Sequence, residues 1–311
     1  MPSTADATFS NYVSTQLQRA VAHSVAPRRL WIDCGISTES IANNDVHRDA
    51  SLVLVGVDAV NANLRSRRHA ATPRLARIGG ACAETAGVGI AAFETHNSPT
   101  CGSLLPSSGM KIGKGKDACI GDMPVTVPVI SFPLQMLIHL ATTMITPRVE
   151  LLLIDIQGAE LPCLRSAASS LRLVDHIFLE VQDLLPDESG SHLYNGSASL
   201  PQLDALLEGQ GFERQYCEPN AWIPRFLHEV NCLYSSRSAA RPIWVTANGR
   251  LIGGARNRSI VSYDARPVFP GGEIWRAGMR SSNFSGARAA PAARNTTGRK
   301  RRRGKIHVEQ P

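Results

Sequence analysis

Aromatic side chains are scarce. Phe, Trp and Tyr together make up 5% of the 311 residues, so the core has to be built from aliphatic groups. No stretch approaches the run of about 18 apolar residues that a membrane-spanning helix needs, so no membrane span is expected. No secretory-type apolar segment follows Met1. The seven cysteines contain no CxxC pair and their number is odd, a pattern that suggests neither a disulfide framework nor a zinc site. Reduced, mostly buried thiols fit an intracellular protein, cytoplasmic or sorted to an organelle or the nucleus. Acidic residues are scarce in one region. From Arg237 to Pro311 there are 16 basic and 3 acidic residues, which leaves 17 basic and 23 acidic for residues 1–236. The pI of about 9.2 therefore describes the tail. The rest is mildly acidic, so nucleic acid is expected to be contacted, if at all, through the run Arg299, Lys300, Arg301, Arg302 and Arg303.

What is present reads as alternating strands and helices. Residues 1–29 hold one acid, Asp6, and three arginines. They read as a leading helix over Tyr12 to Val25, with a transit-like extension as the other reading. Leu30–Cys34, Ser51–Asp58 and Val149–Asp155 are short apolar runs that do not alternate, the pattern of strands covered on both faces in a parallel sheet. Helices are expected over 37–48, 60–68, 133–141, 162–171 and 200–208. Further strands are expected over 74–82, 125–131 and 176–181. Residues 83–125, rich in Gly, Ser, Pro and Lys, read as an insertion or lid with a hairpin. Phe212–Cys217 and Glu229–Ser235 read as a C-terminal antiparallel hairpin. The fold class is thus α/β, a Rossmann-like, doubly wound, mostly parallel sheet over 30–236. A basic, largely disordered extension follows over 237–311.

Three acids stand at strand ends: Asp33, Asp58 and Asp155. In open α/β sheets ligands bind there, near the point where strand order reverses. Gly35 lies in the first strand-to-helix turn, where a missing side chain admits a ligand to the backbone. Asp58, 23 residues later, is placed to accept both ribose hydroxyls of an adenosine, by the logic that puts an acid about 20 residues after a dinucleotide fingerprint. The fingerprint itself is incomplete, with one glycine in Asp33-Cys-Gly35-Ile-Ser. That fits a nucleoside without phosphates better than a dinucleotide. Asp33 as a helix cap and Asp58 as a turn former remain the alternative reading.

The run Leu151-Leu-Leu-Ile-Asp155-Ile-Gln157-Gly158-Ala-Glu160-Leu resembles the fourth-strand motif of the FkbM-type methyltransferases. Ile32-Asp33-Cys-Gly35, Val55-Gly-Val-Asp58, Ser98-Pro-Thr-Cys-Gly-Ser103-Leu104, Ile177-Phe-Leu-Glu180-Val and Leu206-Leu-Glu-Gly-Gln-Gly211-Phe212 are similar to that family's other segments, in the same order. The resemblance implies S-adenosyl-L-methionine as cofactor, no metal, and O-methylation of a small molecule or glycan. By the same carry-over Asp33, Gly35 and Ser103 join Asp58 in holding the cofactor, and Asp155 faces the reaction centre. Gln157, Gly158 and Glu160 shape the loop after the fourth strand. The first loop carries Ser37, Thr38, Glu39 and Ser40 where the family often has a second glycine, and Leu153 stands where Lys is common.

Two other functions fit the same residues: a catalytically inert methyltransferase-fold scaffold, and an RNA or protein methyltransferase that recruits substrate through the tail. The general base is not readable; His96 and His139 are candidates. Asn195-Gly-Ser and three other glycosylation sequons carry no weight without a secretory signal.

Overall fold

The computed structural model describes residues 3–36, 42–65, 72–96, 98, 100–109, 124–182, 193–219, 229–239, 244–245 and 251–252. The tail run Arg299–Arg303 and the altered first-loop residues Ser37–Ser40 lie outside the described residues.

The three apolar runs form the middle of a seven-stranded sheet. They are β1 (Arg29–Cys34), β2 (Leu52–Asp58) and β7 (Val149–Ile154). Every residue of β2 is buried, as a strand covered on both faces requires. With β3 (Leu75–Gly79), β8 (Val174–Gln182), β9 (Phe212–Pro219) and β10 (Glu229–Ser236), the strand order is β3-β2-β1-β7-β8-β10-β9. The first five strands are parallel, and β10 runs antiparallel to both β8 and β9. The Rossmann-like sheet with its antiparallel hairpin is therefore the observed architecture.

The helices are α1 (Thr4–Val21), α2 (Ala42–Arg48), α3 (Asn61–Leu64), α4 (Leu134–Met144), α5 (Glu160–Arg165) and α6 (Leu200–Gly209). The leading helix begins at Thr4 rather than Tyr12, because Ser3 and Asp6 cap it reciprocally: each accepts the other's backbone N–H. It buries Phe9, Val13, Leu17 and Ala20 and packs on β2, β3 and α4. Each large apolar side chain so buried is worth about 1.5–3 kcal/mol. Phe9 lies 4.7 Å from Phe132, ring to ring. The Oδ1 of Asp6 accepts the N–H of Val88 at 2.7 Å, tying the helix to the segment after β3.

Two sequence expectations differ from the structure. Arg74–Cys82 is not one strand. Gly80, at φ 148°, breaks it into β3 and a two-residue β4 (Ala81–Cys82) that leaves the main sheet. The 125–131 strand, β6 (Val125–Phe132), pairs with β4 and with β5 (Gly89–Thr95) in a separate three-stranded sheet. Its alternating rather than continuous burial fits a sheet with one solvated face. The hairpin expected within residues 83–125 is instead made by β5 with the strand that follows the segment, β6. A short pair, β11 (Trp244–Val245) and β12 (Leu251–Ile252), follows.

The expectation of reduced thiols is corrected. Cys82 of β4 is bonded to Cys163 of α5, and Cys217 to Cys232 across the β9–β10 pair. Cys101 is bridged as well, and among the described residues Cys34 is a free, buried thiol. The cysteines therefore give no support to a reducing compartment, since such bridges persist where the surroundings are oxidising. No helix among the described residues is long and apolar enough to cross a membrane.

Candidate active site

From β1 the chain winds outward to β2 and β3 on one side; β7 and β8 lie on the other. The switch point, where open α/β sheets leave a ligand crevice, is therefore between β1 and β7. Asp33 lies near the end of β1, buried, and pairs in register with Gly56 of β2 and Leu153 of β7. Gly35 follows at φ 95°, and its N–H donates to Val57 at 2.9 Å. The N–H of Asp155 donates to the Cys34 carbonyl at 3.0 Å. A β-carbon at Gly35 would stand 1.8 Å from the Asp155 carbonyl oxygen. The bare position expected to admit a ligand instead admits the main chain of Asp155, and so holds the two loops together.

Asp58 ends β2 and is buried. Its Oδ1 accepts the N–H of Val60 at 2.5 Å and its Oδ2 the amide of Asn63 at 2.9 Å. Burial pushes this carboxyl up to about 6; the two hydrogen bonds oppose the rise and the nearby Asp155 carboxylate adds to it. A carboxylate has about four acceptor sites, so two remain for a ligand's hydroxyls.

The loop after β7 is held from several sides. Gln157 adopts φ 57°, the one non-glycine residue with positive φ among those described, and Gly158 follows at φ 96°. Glu160 accepts the N–H groups of Ile156 and Gly158, each at 3.1 Å. It is 3% exposed, and burial pushes its carboxyl up to about 7. Ser103 is buried; its hydroxyl donates to the Gln157 carbonyl at 2.7 Å and accepts the N–H of Leu105 at 3.0 Å. The Gln157 amide donates to Oδ1 of Asp155 at 2.9 Å. Asp155 reaches solvent at the mouth of the crevice. Protein crowding its carboxyl still raises its pKa, and the Gln157 hydrogen bond opposes that.

Beside this loop a recess is lined by Gln157, Gly158, Glu160, Glu180, Tyr194 and Ser197, among others. Tyr194 carried no signal in the sequence. It is buried, donates its hydroxyl to the Cys101 carbonyl at 2.6 Å, and stands 3.3 Å from Oε1 of Gln157. Asn63 and Glu94 were also missed, although Asn63, five residues after Asp58, lies within reach of a short loop. Glu94, at the end of β5, accepts the N–H of Ser107 at 2.7 Å. The structure separates the two histidine candidates. His139 sits on the exposed side of α4, bonded to Ser170 at 3.0 Å. The His96 ring is enclosed, with a centroid 6.3 Å from that of Tyr194. Burial lowers its pKa below the ordinary imidazole value, and Glu94, 4.0 Å away, opposes the shift.

Solved structures similar to the chain include three methyltransferases. One is the 1,6-didemethyltoxoflavin-N1-methyltransferase of Burkholderia thailandensis, with bound S-adenosylhomocysteine. It is 11% identical, with 75% of this chain and 78% of that one covered and a TM-score of 0.35. For the aminoglycoside resistance methyltransferase NpmB1 the identity is 12%, the coverage 72% and 93%, and the TM-score 0.36. For the N-methyltransferase NodS from Bradyrhizobium japonicum WM9 they are 8%, 74% and 98%, and 0.34. Likenesses this weak say nothing about the substrate. No curated protein matches the chain in sequence. The sequence model of the methyltransferase FkbM domain matches residues 43–214, more than half of the chain. That span runs from α2 to β9 and includes Asp58, Asp155 and Glu160. The chain belongs to the FkbM methyltransferase family and is an enzyme that uses S-adenosylmethionine.

Proposed function

We propose that the enzyme methylates a hydroxyl oxygen of a small molecule or glycan. The observation that carries this reading is the solvent-reached carboxylate of Asp155, held by Gln157 beside a recess walled by polar groups. When bound, the cofactor supplies a methyl group on a sulfonium, whose leaving group is already activated. The protein has then to position the acceptor and take its proton. A crevice edged by Asp33, Asp58 and Asp155 suits a cofactor with a sulfonium and an ammonium. In this reading Asp33 lines its methionine end and Asp58 accepts the ribose hydroxyls, while Gly35 keeps the loops after β1 and β7 in contact. Asp155 orients the acceptor hydroxyl. Ser103, Gln157, Gly158 and Glu160 hold the loop that aims Asp155. Residues 30–236 form the methyltransferase domain, with 83–125 as its lid and 237–311 as a basic extension.

Residues 1–236 hold 17 basic and 23 acidic residues, which disfavours nucleic acid at the crevice itself. Recruitment of RNA by Arg299–Arg303 would appear as an affinity that falls steeply with salt and loses that slope on tail removal.

The test is calorimetric titration of S-adenosylmethionine into the full chain, followed by a screen of monosaccharides and hydroxylated small molecules with methyl-labelled cofactor. Micromolar binding, with label entering an ether linkage, is expected. Label found on nitrogen, or in RNA or protein, would replace this reading. Absence of cofactor binding by the folded chain would favour the scaffold instead.

A further inference from the structure

The recess beside the loop after β7 offers acceptors rather than donors. Glu160 lines it and is 3% exposed. Its Oε1 takes the N–H groups of both Ile156 and Gly158; among the described residues no donor reaches Oε2. Buried polar atoms in folded proteins are nearly always bonded. A bare carboxyl oxygen in the wall of a recess therefore calls for a donor that comes with a ligand. Glu180, half-exposed near the end of β8, adds a second carboxyl to the lining. The hydroxyls beside them have given their protons away, Ser197 to the Tyr194 carbonyl at 2.9 Å and Tyr194 to the Cys101 carbonyl at 2.6 Å. Neither Lys nor Arg is among the described residues that line the recess.

Size and position narrow what fits. The recess leaves about 10 Å³ for the centre of an entering group, room for one the size of a water molecule. A protonated amine is of that size and carries three donors, where a hydroxyl carries one. Gln157, which lines the recess, also donates its amide to Oδ1 of Asp155 at 2.9 Å. The recess thus lies one side chain from the carboxylate that orients the acceptor. Glu180 is level with Asp155, both standing two residues beyond the paired Leu153 and Phe178 of the parallel β7–β8 register. Asp33 and Asp58, on β1 and β2, stand on the other side of β7, where the reading above places the cofactor and its own amine.

We infer that the recess seats a protonated amine of the methyl acceptor, so that the substrate is a hydroxyl compound that also bears an amine, of the class of amino sugars and amino alcohols. This rests on the O-methylation reading above. Carboxyls at Glu160 and Glu180 favour the charged form of the amine, since a nearby opposite charge stabilises an ammonium. An ammonium has no lone pair with which to attack the sulfonium methyl. The contacts that bind the acceptor therefore also direct the methyl group away from its nitrogen and to the hydroxyl at Asp155. Glu160 and Glu180 decide which acceptor enters, and neither takes part in the transfer itself.

The experiment gives the full-length chain a panel of amino sugars and amino alcohols, each paired with the compound in which a hydroxyl replaces the amine. Transfer is read with methyl-labelled cofactor, and binding by calorimetry on the chain loaded with S-adenosylhomocysteine. Label is expected on an oxygen of the amino members. Their kcat/KM should exceed that of their partners by about ten- to a hundredfold, the size of a charge-assisted hydrogen bond. E160Q and E180Q should each shrink that ratio through a raised KM for the amino member, with kcat and cofactor affinity little changed, a split that a merely structural role would not give. Equal transfer to both members of the pairs would overturn the amine seat and leave O-methylation standing. Label on nitrogen would overturn both. Binding of the amino members alone, with no transfer to oxygen, would overturn O-methylation and leave the seat standing. Neither binding nor transfer would overturn both. Should the two variants fail to fold, the wild-type ratio within the pairs decides by itself.

Discussion

The carbonyl oxygen of Asp155 lies 1.8 Å from where a β-carbon on Gly35 would stand. The loops after β1 and β7, which flank the crevice, therefore meet backbone to backbone, and only glycine permits the contact. A left-handed backbone costs a non-glycine residue about 1–3 kcal/mol, and here a main-chain collision adds to that. Gly35→Ala is expected to lower stability by at least this amount. It should also weaken S-adenosylmethionine binding more than tenfold, as Asp155 is pushed outward. Thermal unfolding and calorimetry check both; a variant that matched wild type in each would refute the close contact.

Asp58 gives a pH dependence. Its carboxyl, pushed up to about 6, must be ionised to accept two hydroxyls. Cofactor affinity should therefore hold above pH 6 and fall as the pH drops through it. Asp58→Asn should bind more weakly at every pH and lose the slope. Loss of a charge-assisted hydrogen bond costs about 1.5–3 kcal/mol, or roughly ten- to a hundredfold in affinity. A binding curve flat from pH 5 to 8 in the wild type would exclude Asp58 from the site.

Glu160 gives one for stability. Its pKa is raised from 4.5 to about 7 in the folded chain. The group therefore favours folding most below its unfolded value, and the advantage is lost as pH rises through about 7. Glu160→Gln keeps an oxygen for the Ile156 and Gly158 N–H groups and cannot ionise. It should flatten the fall in urea midpoint between pH 5 and 8, whereas Glu160→Ala should destabilise throughout by orphaning both donors.

The two described bridges differ in reach. Cys82 and Cys163 are 81 residues apart, Cys217 and Cys232 only 15. By chain entropy the first stabilises by about 4–5 kcal/mol and the second by about 3. Replacing both cysteines of each pair by serine should lower the urea midpoint more for Cys82 and Cys163. The reverse order would show that the long bridge closes a segment already ordered in the unfolded chain.

The central strands and the acids at their ends were legible because burial on both faces leaves continuous apolar runs, and an acid after such a run marks the carboxyl edge. The Asp155–Glu160 segment carried the strongest part of the family resemblance. What escaped depends on distance in the chain. Tyr194 reaches Cys101 and Gln157 from 93 and 37 residues away, and nothing in its own neighbourhood announces the role. The cysteines misled because spacing was the criterion, whereas pairing depends on which strands the sheet order makes neighbours. Only the fold brings β4 to α5. His96 was readable as a candidate but not separable from His139, since both are single histidines near a strand or helix end. Enclosure distinguishes them.

The hand-over at Gly80 shapes how this scaffold can diverge. Because β4, β5 and β6 close on one another and Cys82 fastens their base to α5, the ends of the intervening segment are fixed whatever its length. Lengthening a loop whose ends are already joined costs little, about 0.6 kcal/mol per doubling. The stretch between β5 and β6 can therefore lengthen at little cost to the scaffold, provided that Cys101 and Ser103 keep their bonds to Tyr194 and to the Gln157 carbonyl. Length can change by insertion here while the sheet and the acids at its edge are inherited intact.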